Sequence, residues 1–334
     1  MPTSATQAAS RSRLWLGLLV LYIVWGSTYL GIAVAVDTIP PFLMAASRFA
    51  LAGLVLLTWS IVRARGDFAM PSRREWRDSA IVGALLLGGG MGMVAWGEQT
   101  IPSGIAALII ALMPVWVAIF GRLFFGERLP GVAIVGIIVG FVGVGILVGP
   151  TIVGETGALD PLGLAALLIS PISWTAGSLY ASHRATLPKQ PLVATGLQML
   201  CGAGVLSVMA LLSGEPARFD PAAIARESLI ALGYLTVIGS LLAFTVYGWL
   251  LRVAPLPWIA TYAYVNPVVA VILGTVILKE PLDPRTLVAG AVIVGAVALI
   301  VTARGRMQAP RGATAAEPVA RVRTEVTAPS TGSG

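Results

Sequence analysis

Residues 113–129, MPVWVAIFGRLFFGERL, and residues 266–282, NPVVAVILGTVILKEPL, match at a constant offset of 153 positions. Both stretches lie in long apolar segments of the chain. The same offset relates further landmarks: Trp96 and Trp249, Pro102 and Pro255, Pro114 and Pro267, Glu127 and Glu280, and Leu129 and Leu282. The match therefore predicts that one membrane-embedded unit occurs twice.

The composition supports a membrane protein. Hydrophobic residues make up 57% of the chain and charged residues 11%, whereas soluble domains carry about 25% charged residues. Apolar runs of about 20 residues span a bilayer as helices. Ten such runs are predicted, at about 14–34, 42–62, 79–97, 103–121, 131–149, 162–182, 192–212, 228–250, 256–277 and 286–303.

The predicted fold is an all-α polytopic membrane protein with ten transmembrane helices in two inverted five-helix repeats. The first repeat is placed at residues 13–150 and the second at 151–303. The tails, 1–12 and 304–334, are rich in Ala, Pro, Ser, Thr and Arg, a composition that predicts disorder. A single cysteine, Cys201, excludes an intrachain disulfide and a cysteine-based metal cluster.

The basic residues indicate the orientation of the helices. If the N-terminus is cytoplasmic, the loops and tails on that side hold most of the 22 lysines and arginines. The other side holds Arg218, Arg226, Lys279 and Arg285, and Arg48 lies within a helix. The positive-inside rule therefore predicts cytoplasmic N- and C-terminal tails. The net charge of +7 reflects this topology and does not indicate binding to nucleic acid.

Five helices per half is an odd number, so the second half enters the membrane from the opposite side. In secondary transporters, an inverted repeat of this kind places the substrate between the two halves. Exchanging the conformations of the halves then moves an opening from one face to the other. The repeat thus predicts alternating access to a central site.

Several strings resemble the drug/metabolite transporter superfamily: YIVWGSTYL at 22–30, SRFALAG at 47–53, IPSGIAALI at 101–109, SPISWTAGSLYASHRATLP at 170–188 and ATYAYVNPVVAVILGT at 260–275. They are similar to EamA-type ten-helix exporters, closest to the YedA-like branch and related to YddG-type amino-acid exporters. The resemblance implies a multi-pass protein of the bacterial inner membrane with a cavity lined by helices 1, 3, 4, 6, 8 and 9. It also implies export of small metabolites such as aromatic and other neutral amino acids.

Polar-tipped aromatic and polar residues concentrate in the same segments and form the candidate substrate site. Rings with an N–H or O–H group suit small amphipathic solutes through apolar and cation–π contacts. The alternative is that these rings fill the core of the bundle. Asn266 is an amide at mid-membrane whose equivalent in the first half is Met113. The predicted set is Trp25, Tyr29, Trp96, Trp174, Ser178, Tyr262, Tyr264 and Asn266.

Pro114 and Pro267 lie in the middle of the fourth and ninth predicted helices. A proline inside a helix removes one backbone hydrogen bond and kinks the helix. Because both repeats keep it, we expect a hinge or a cavity wall there, with a static kink as the alternative. The run GGGMG at 88–92 lies inside the third helix, where close helix packing is expected and a nucleotide loop is not.

Arg48 and Glu98 are charged residues in or beside apolar runs. A charge inside the membrane is costly and is by default functional or paired. Glu98 lies toward the same predicted face as Arg48, so an ion pair between them is expected. The alternative is that Arg48 contacts a substrate carboxylate or a gate. Glu98 is the candidate for proton coupling, with facilitated diffusion equally open.

Other classes of function are less well supported by the residues. An intramembrane enzyme would need paired carboxylates, an activated nucleophile or a histidine site within the bundle, and a pore would need a selectivity filter. The lone histidine, His183, has no metal-binding neighbours in sequence. No metal or other cofactor is therefore expected. The expected partners are a small-molecule substrate and the lipid bilayer, with a monomer favoured over a dimer.

Overall fold

Helices make up the regular structure of the described residues, which are 11–64, 66, 68–153, 159–254, 256–259 and 261–308 of the computed structural model. Ten segments, numbered α1 to α10, follow one another. They are α1 (Arg11–Val36), α2 (Pro41–Arg63), α3 (Arg73–Gly83, Ala84–Gly92 and Met93–Gly97), α4 (Ser103–Ile110 and Met113–Phe125), α5 (Gly131–Val153), α6 (Pro161–His183), α7 (Pro191–Leu212), α8 (Arg226–Tyr234, Leu235–Leu242 and Ala243–Val253), α9 (Leu256–Ile259 and Tyr262–Ile277) and α10 (Pro284–Gln308).

The ten predicted segments are confirmed. Within the described residues, nine helices are long and apolar enough to cross a bilayer, and the second piece of α9 is a shorter apolar helix. The last helix continues to Gln308, beyond the predicted start of the C-terminal tail at residue 304. The rest of that predicted tail, residues 309–334, and residues 1–10 lie outside the described residues.

The helices of one half make the same kinds of contact as their equivalents in the other half. Helix α1 packs against α8 and α9 of the second half, and its equivalent α6 packs against α3 and α4 of the first. The pairs α2–α7 and α5–α10 join equivalent helices. This twofold pattern is expected of an inverted repeat and places the halves around a shared centre.

The ends of α4 and α9 have the same backbone geometry, which accounts for the glycine and glutamate that both copies of the repeat share there. Gly126 and its equivalent Lys279 both adopt a left-handed conformation, with φ of 66° and 57°. The next residue, Glu127 or Glu280, donates its N–H to a glycine carbonyl, Gly121 or Gly274, over 3.1 Å in each half. A Cβ on either glycine would overlap the carboxylate of the following glutamate, so a side chain at either position would displace that carboxylate.

Helices α3 and α8 each contain a π-helical stretch, at Ala84–Gly92 and Leu235–Leu242. Such stretches disturb the regular helical hydrogen bonds and often mark functional sites. In α3 two carbonyls gain partners from α6: Ser173 donates to that of Leu85 over 2.8 Å and Ser170 to that of Gly90 over 2.9 Å. The glycine run serves close helix packing, as expected, because a Cβ on Gly89 or Gly90 would overlap Ser173 or Trp174 of α6.

The two prolines occupy different structural positions despite their matched sequence. Helix α4 is interrupted between Ile110 and Met113, so Pro114 lies in the first turn of a new helix, where its missing N–H costs no hydrogen bond. The interruption in α9 precedes Tyr262, and Pro267 lies inside the following helix. The expectation of equivalent mid-helix kinks is therefore not met. A hinge role for either proline stays a prediction.

The segment between α7 and α8 fixes the start of α2. Glu215 is buried and accepts hydrogen bonds from the backbone N–H groups of Phe42 (3.2 Å) and Leu43 (2.9 Å). These donors belong to the first turn of a helix and have no partner within it. Burial raises the pKa of the Glu215 carboxyl group above its ordinary value. This contact holds in place the helix that carries Arg48.

Candidate functional site

A central cavity lies where seven of the ten segments meet. The atom-free space there, with the open solvent at its mouth included, is about 760 Å³. The resemblance implied walls from α1, α3, α4, α6, α8 and α9, and α2 adds a seventh. The lining residues are Trp25, Thr28, Tyr29, Ile32, Arg48, Phe49, Met91, Val94, Ile110, Met113, Ser170, Pro171, Trp174, Phe244, Tyr262 and Asn266.

Trp25 is the centre of an aromatic cluster on one side of the cavity. Its ring centroid lies 5.7 Å from that of Phe244, 5.1 Å from that of Tyr247 and 5.0 Å from that of Tyr262. The contacts with Phe244 and Tyr262 are edge-to-face, a favourable arrangement for aromatic pairs. The cluster joins α1, α8 and α9 and gives the cavity an apolar wall with polar ring tips.

Arg48 brings a positive charge to the cavity wall. It is 3% exposed, and its Nε donates to Ser240 Oγ over 2.9 Å, in the π-helical stretch of α8. The adjacent Gly239 leaves room for the guanidinium, since a Cβ there would lie 3.2 Å from Arg48 Nη2. The guanidinium carbon also lies 4.9 Å from the centre of the Phe49 ring.

The expected ion pair between Arg48 and Glu98 is not formed in this structure. A salt bridge joins Arg77 and Asp78 at 2.8 Å, and neither Arg48 nor Glu98 takes part in one within the described residues. The reason is the packing of α2 against α8, which brings Arg48 to Ser240, while neither carboxylate oxygen of Glu98 has a hydrogen-bond partner in the described chain. Arg48 therefore faces the cavity without an acidic partner from the described residues.

Helix α1 is tied to α8 and α9 by polar contacts beside the cavity. With its amide oxygen and nitrogen exchanged, the orientation that satisfies both groups, Asn266 donates to the carbonyl oxygens of Tyr22 and Tyr262, each over 3.3 Å. The Tyr22 hydroxyl is hydrogen-bonded to Thr261 Oγ1. Ser27 Oγ and the Tyr234 hydroxyl lie 2.5 Å apart. Asn266 thus has a positioning contact with α1 in addition to its place on the cavity wall.

Comparison with known proteins identifies the family of the chain. The model of the EamA-like transporter family matches the chain twice, over residues 13–149 and 161–302, once in each half. The chain belongs to the EamA-like transporter family. The resemblance inferred from the sequence motifs is thereby confirmed.

Two relatives of this EamA-like transporter are named as a transporter and as an exporter, and one of the two names states a class of substrate. A protein of Escherichia coli strain K12 named "Uncharacterized inner membrane transporter YedA" is 39% identical over 284 residues, 85% of this chain and 89% of the relative. A protein of Streptantibioticus cattleyicolor named "Probable terminal-alkyne amino-acid exporter" is 26% identical over 288 residues, 85% of this chain and 91% of the relative.

A solved crystal structure has a similar fold. It aligns with 90% of this chain and 100% of its own chain at a TM-score of 0.59 and 22% sequence identity. At this identity the likeness concerns the fold alone.

Half of the predicted site residues of this EamA-like transporter line the cavity, namely Trp25, Tyr29, Arg48, Trp174, Tyr262 and Asn266. The others lie elsewhere: Trp96 packs beside the α2–α7 cluster, Tyr264 beside the core between α4 and α10, and Pro267 along an outer groove against α10. Ser178, Pro114 and Glu98 are also absent from the lining. The roles predicted for all of these residues stay predictions.

Several lining residues were missed by sequence reasoning. Met113 lines the cavity as does its equivalent Asn266, so the 153-residue offset already contained a signal for it. Thr28 and Ser170 gave no signal, and their hydroxyls donate to the carbonyls of Trp25 (2.6 Å) and Gly90 (2.9 Å). Phe244 is one of many apolar residues on α8, and only packing selects it for the cavity.

Proposed function

We propose that this EamA-like transporter exports neutral amino acids, above all aromatic ones, and related amphipathic compounds across the bacterial inner membrane. The observation that carries the proposal is Arg48, a buried guanidinium that lines the cavity and has no acidic partner among the described residues. A buried charge is costly unless it is paired and hydrogen-bonded. A substrate carboxylate supplies the missing anion, and the planar guanidinium suits its geometry.

The aromatic cluster around Trp25 supports the choice of side chain. An aromatic or aliphatic side chain gains contact area against Trp25, Tyr262 and Phe244. The faces of these rings also attract an ammonium group through cation–π contact. One cavity therefore offers complementary groups for the carboxylate, the ammonium group and the apolar side chain of a neutral amino acid.

The names of the two relatives support the proposal of amino-acid export. One carries a name that describes inner-membrane transport and another a name that describes amino-acid export. The twofold arrangement of the helices favours alternating access, because exchanging the conformations of inverted halves opens the same cavity to the other face. The distribution of basic residues favours cytoplasmic termini.

The orientation has a direct test. In a variant with Cys201→Ser, single cysteines at Arg74 and Arg218 in turn can be labelled in whole cells with a membrane-impermeant maleimide. We expect labelling at position 218 from outside and at position 74 only after the membrane is broken. The reverse pattern would contradict cytoplasmic termini.

Transport is tested with the full-length protein in liposomes. We expect saturable counterflow of labelled phenylalanine and weaker competition by phenylalaninamide, which lacks the carboxylate. Hydrogen bonds to charged groups contribute about 1.5–3 kcal/mol, which corresponds to roughly 10- to 150-fold in apparent affinity. Arg48→Gln should remove this discrimination.

Arg122→Gln is the matched control, because Arg122 is an exposed arginine at the end of α4. It should behave as the wild type. If no tested amino acid shows saturable exchange, amino-acid export is refuted. If Arg48→Gln discriminates between acid and amide as the wild type does, the role of Arg48 is wrong even though the protein transports.

A further inference from the structure

Glu98 is a buried acidic side chain that forms no salt bridge within the described part of the chain. It is 6% exposed, and neither of its carboxylate oxygens has a hydrogen-bond partner. The other buried side-chain atoms in this situation are the hydroxyls of Ser79, Ser103 and Thr175. Glu98 is therefore the one ionisable group among them.

The charged groups around Glu98 do not compensate an ionised carboxylate. Arg48 of α2 donates to Ser240 and forms no ion pair among the described residues. Asp160, at the start of α6, is itself acidic and accepts hydrogen bonds from Gly163 N (2.6 Å) and Thr100 Oγ1 (3.1 Å).

Glu280, after α9, acts on Glu98 through repulsion between carboxylates. Its oxygens accept the N–H groups of Ser103 (2.8 Å) and Gly104 (3.1 Å) at the start of α4, donors that suit a carboxylate anion. Burial and the neighbouring carboxylate both favour the neutral form of Glu98, and the backbone of Ala33, which favours the anion, opposes them only in part. The packing around Glu98 therefore suits a carboxylic acid that carries a proton.

Glu98 is also connected to the cavity. Val94, one helical turn earlier on α3, lines the cavity, and so does Tyr29 of α1, which lies within electrostatic range of Glu98. A substrate that shifts α1 relative to α3 changes the surroundings of this carboxyl group. The position equivalent to Glu98 in the second half is Leu251, so of these two equivalent positions only the one in the first half carries a carboxyl group.

We propose that Glu98 is a proton-binding site and that the protein exchanges one proton for each exported substrate. This inference rests on the proposed function. The proton binds to a Glu98 carboxylate oxygen from water on the outer face of the membrane while the cavity is empty, and the halves then exchange conformation. The O–H bond breaks and the proton passes to water on the cytoplasmic face, where substrate binds for the outward step. The cycle moves one proton inward and one substrate outward.

Reconstituted vesicles test the coupling. Vesicles that are acidic inside, with the membrane potential clamped, should accumulate labelled substrate about tenfold for each pH unit if exchange is one to one. Glu98→Gln, which keeps the neutral shape of the protonated side chain, should retain counterflow but lose accumulation driven by the pH gradient. The matched control, Glu227→Gln at an exposed position near the start of α8, should retain both.

A second measurement needs no variant. Substrate added to the wild-type protein in weakly buffered detergent solution should release protons, because substrate and proton occupy the protein in turn. Wild-type vesicles that show counterflow but no accumulation driven by the pH gradient, or substrate binding without proton release, would overturn the proton site and leave the exporter intact. Absence of any saturable counterflow would instead refute the proposed function.

Discussion

Replacing Glu280 by alanine should destabilise the protein because this side chain joins the two halves. Glu280 follows α9, and its carboxylate accepts the backbone N–H groups of Ser103 and Gly104 at 2.8 and 3.1 Å. These N–H groups belong to the first turn of α4 and have no acceptor within that helix. The Glu280→Ala change therefore removes two hydrogen bonds and a negative charge from a helix N-terminus.

The size of the effect follows from these contacts. A hydrogen bond to a charged group contributes about 1.5–3 kcal/mol, so two such bonds set a gross loss of about 3–6 kcal/mol. Because Glu280 is only half-buried, water replaces part of the lost bonding. We expect a decrease of about 2–4 kcal/mol in the free energy of unfolding. Glu280→Gln keeps one acceptor oxygen and should lose roughly half as much.

The free energy of unfolding can be measured by titrating the purified protein in mixed micelles with sodium dodecyl sulfate. Glu227→Ala is the control, since substitutions of exposed residues usually change stability by less than about 0.5 kcal/mol. If Glu280→Ala is as stable as Glu227→Ala, the carboxylate does not hold α4. If Glu280→Gln loses as much as Glu280→Ala, the effect comes from the charge and not from the two hydrogen bonds.

Three further predictions concern packing, the site and pH. Gly26→Ala should cost about 1–3 kcal/mol of stability, because a Cβ there would lie 2.7 Å from Val269 Cβ; Gly204→Ala, with open space around it, should be neutral in the same thermal unfolding assay. Trp25→Leu should raise the KM for phenylalanine counterflow more than that for alanine, and an equal change would argue against ring contact. The backbone N–H of Thr286 donates to the Asp283 carboxylate and lowers its pKa. The stabilisation of the folded protein by this contact is therefore present above the ordinary aspartate pKa and is lost as the pH falls through the lowered pKa. Asp283→Asn should lower the unfolding temperature at pH 7, and the unfolding temperatures of the variant and the wild type should converge in acid.

Much of the architecture could be predicted from local features of the sequence. A membrane-spanning helix needs a long apolar run, so hydropathy places the ten segments directly. The duplicated glycines and glutamates could be recognised because the geometry at the ends of α4 and α9 constrains single residues: a side chain at Gly121 or Gly274 would displace the carboxylate of Glu127 or Glu280. The predicted packing role of residues 88–92 was also accessible, since closely packed helices require small residues.

The pairing of the charged residues could not be predicted in the same way. Arg48 and Glu98 lie toward one predicted face, and sequence reasoning joined them because a buried charge needs a partner. Their directions depend on how α2 and α3 rotate against their neighbours: Arg48 meets Ser240, and Glu98 is near Glu280. A rotation of one residue position turns a side chain by about 100°, which is enough to separate two groups at similar depth.

The sequence by itself determined the membrane class, the ten segments, the duplication and the family motifs. Only the tertiary structure decided which residues face the cavity, adding Phe49 and Met113 and leaving Trp96 outside. The physical reason lies in the solvent. In water, the apolar face of a helix marks the core, but lipid tails are as apolar as a protein interior. Hydropathy therefore cannot distinguish a lipid-facing side chain from a core or cavity side chain, and that choice is made when the ten helices pack together.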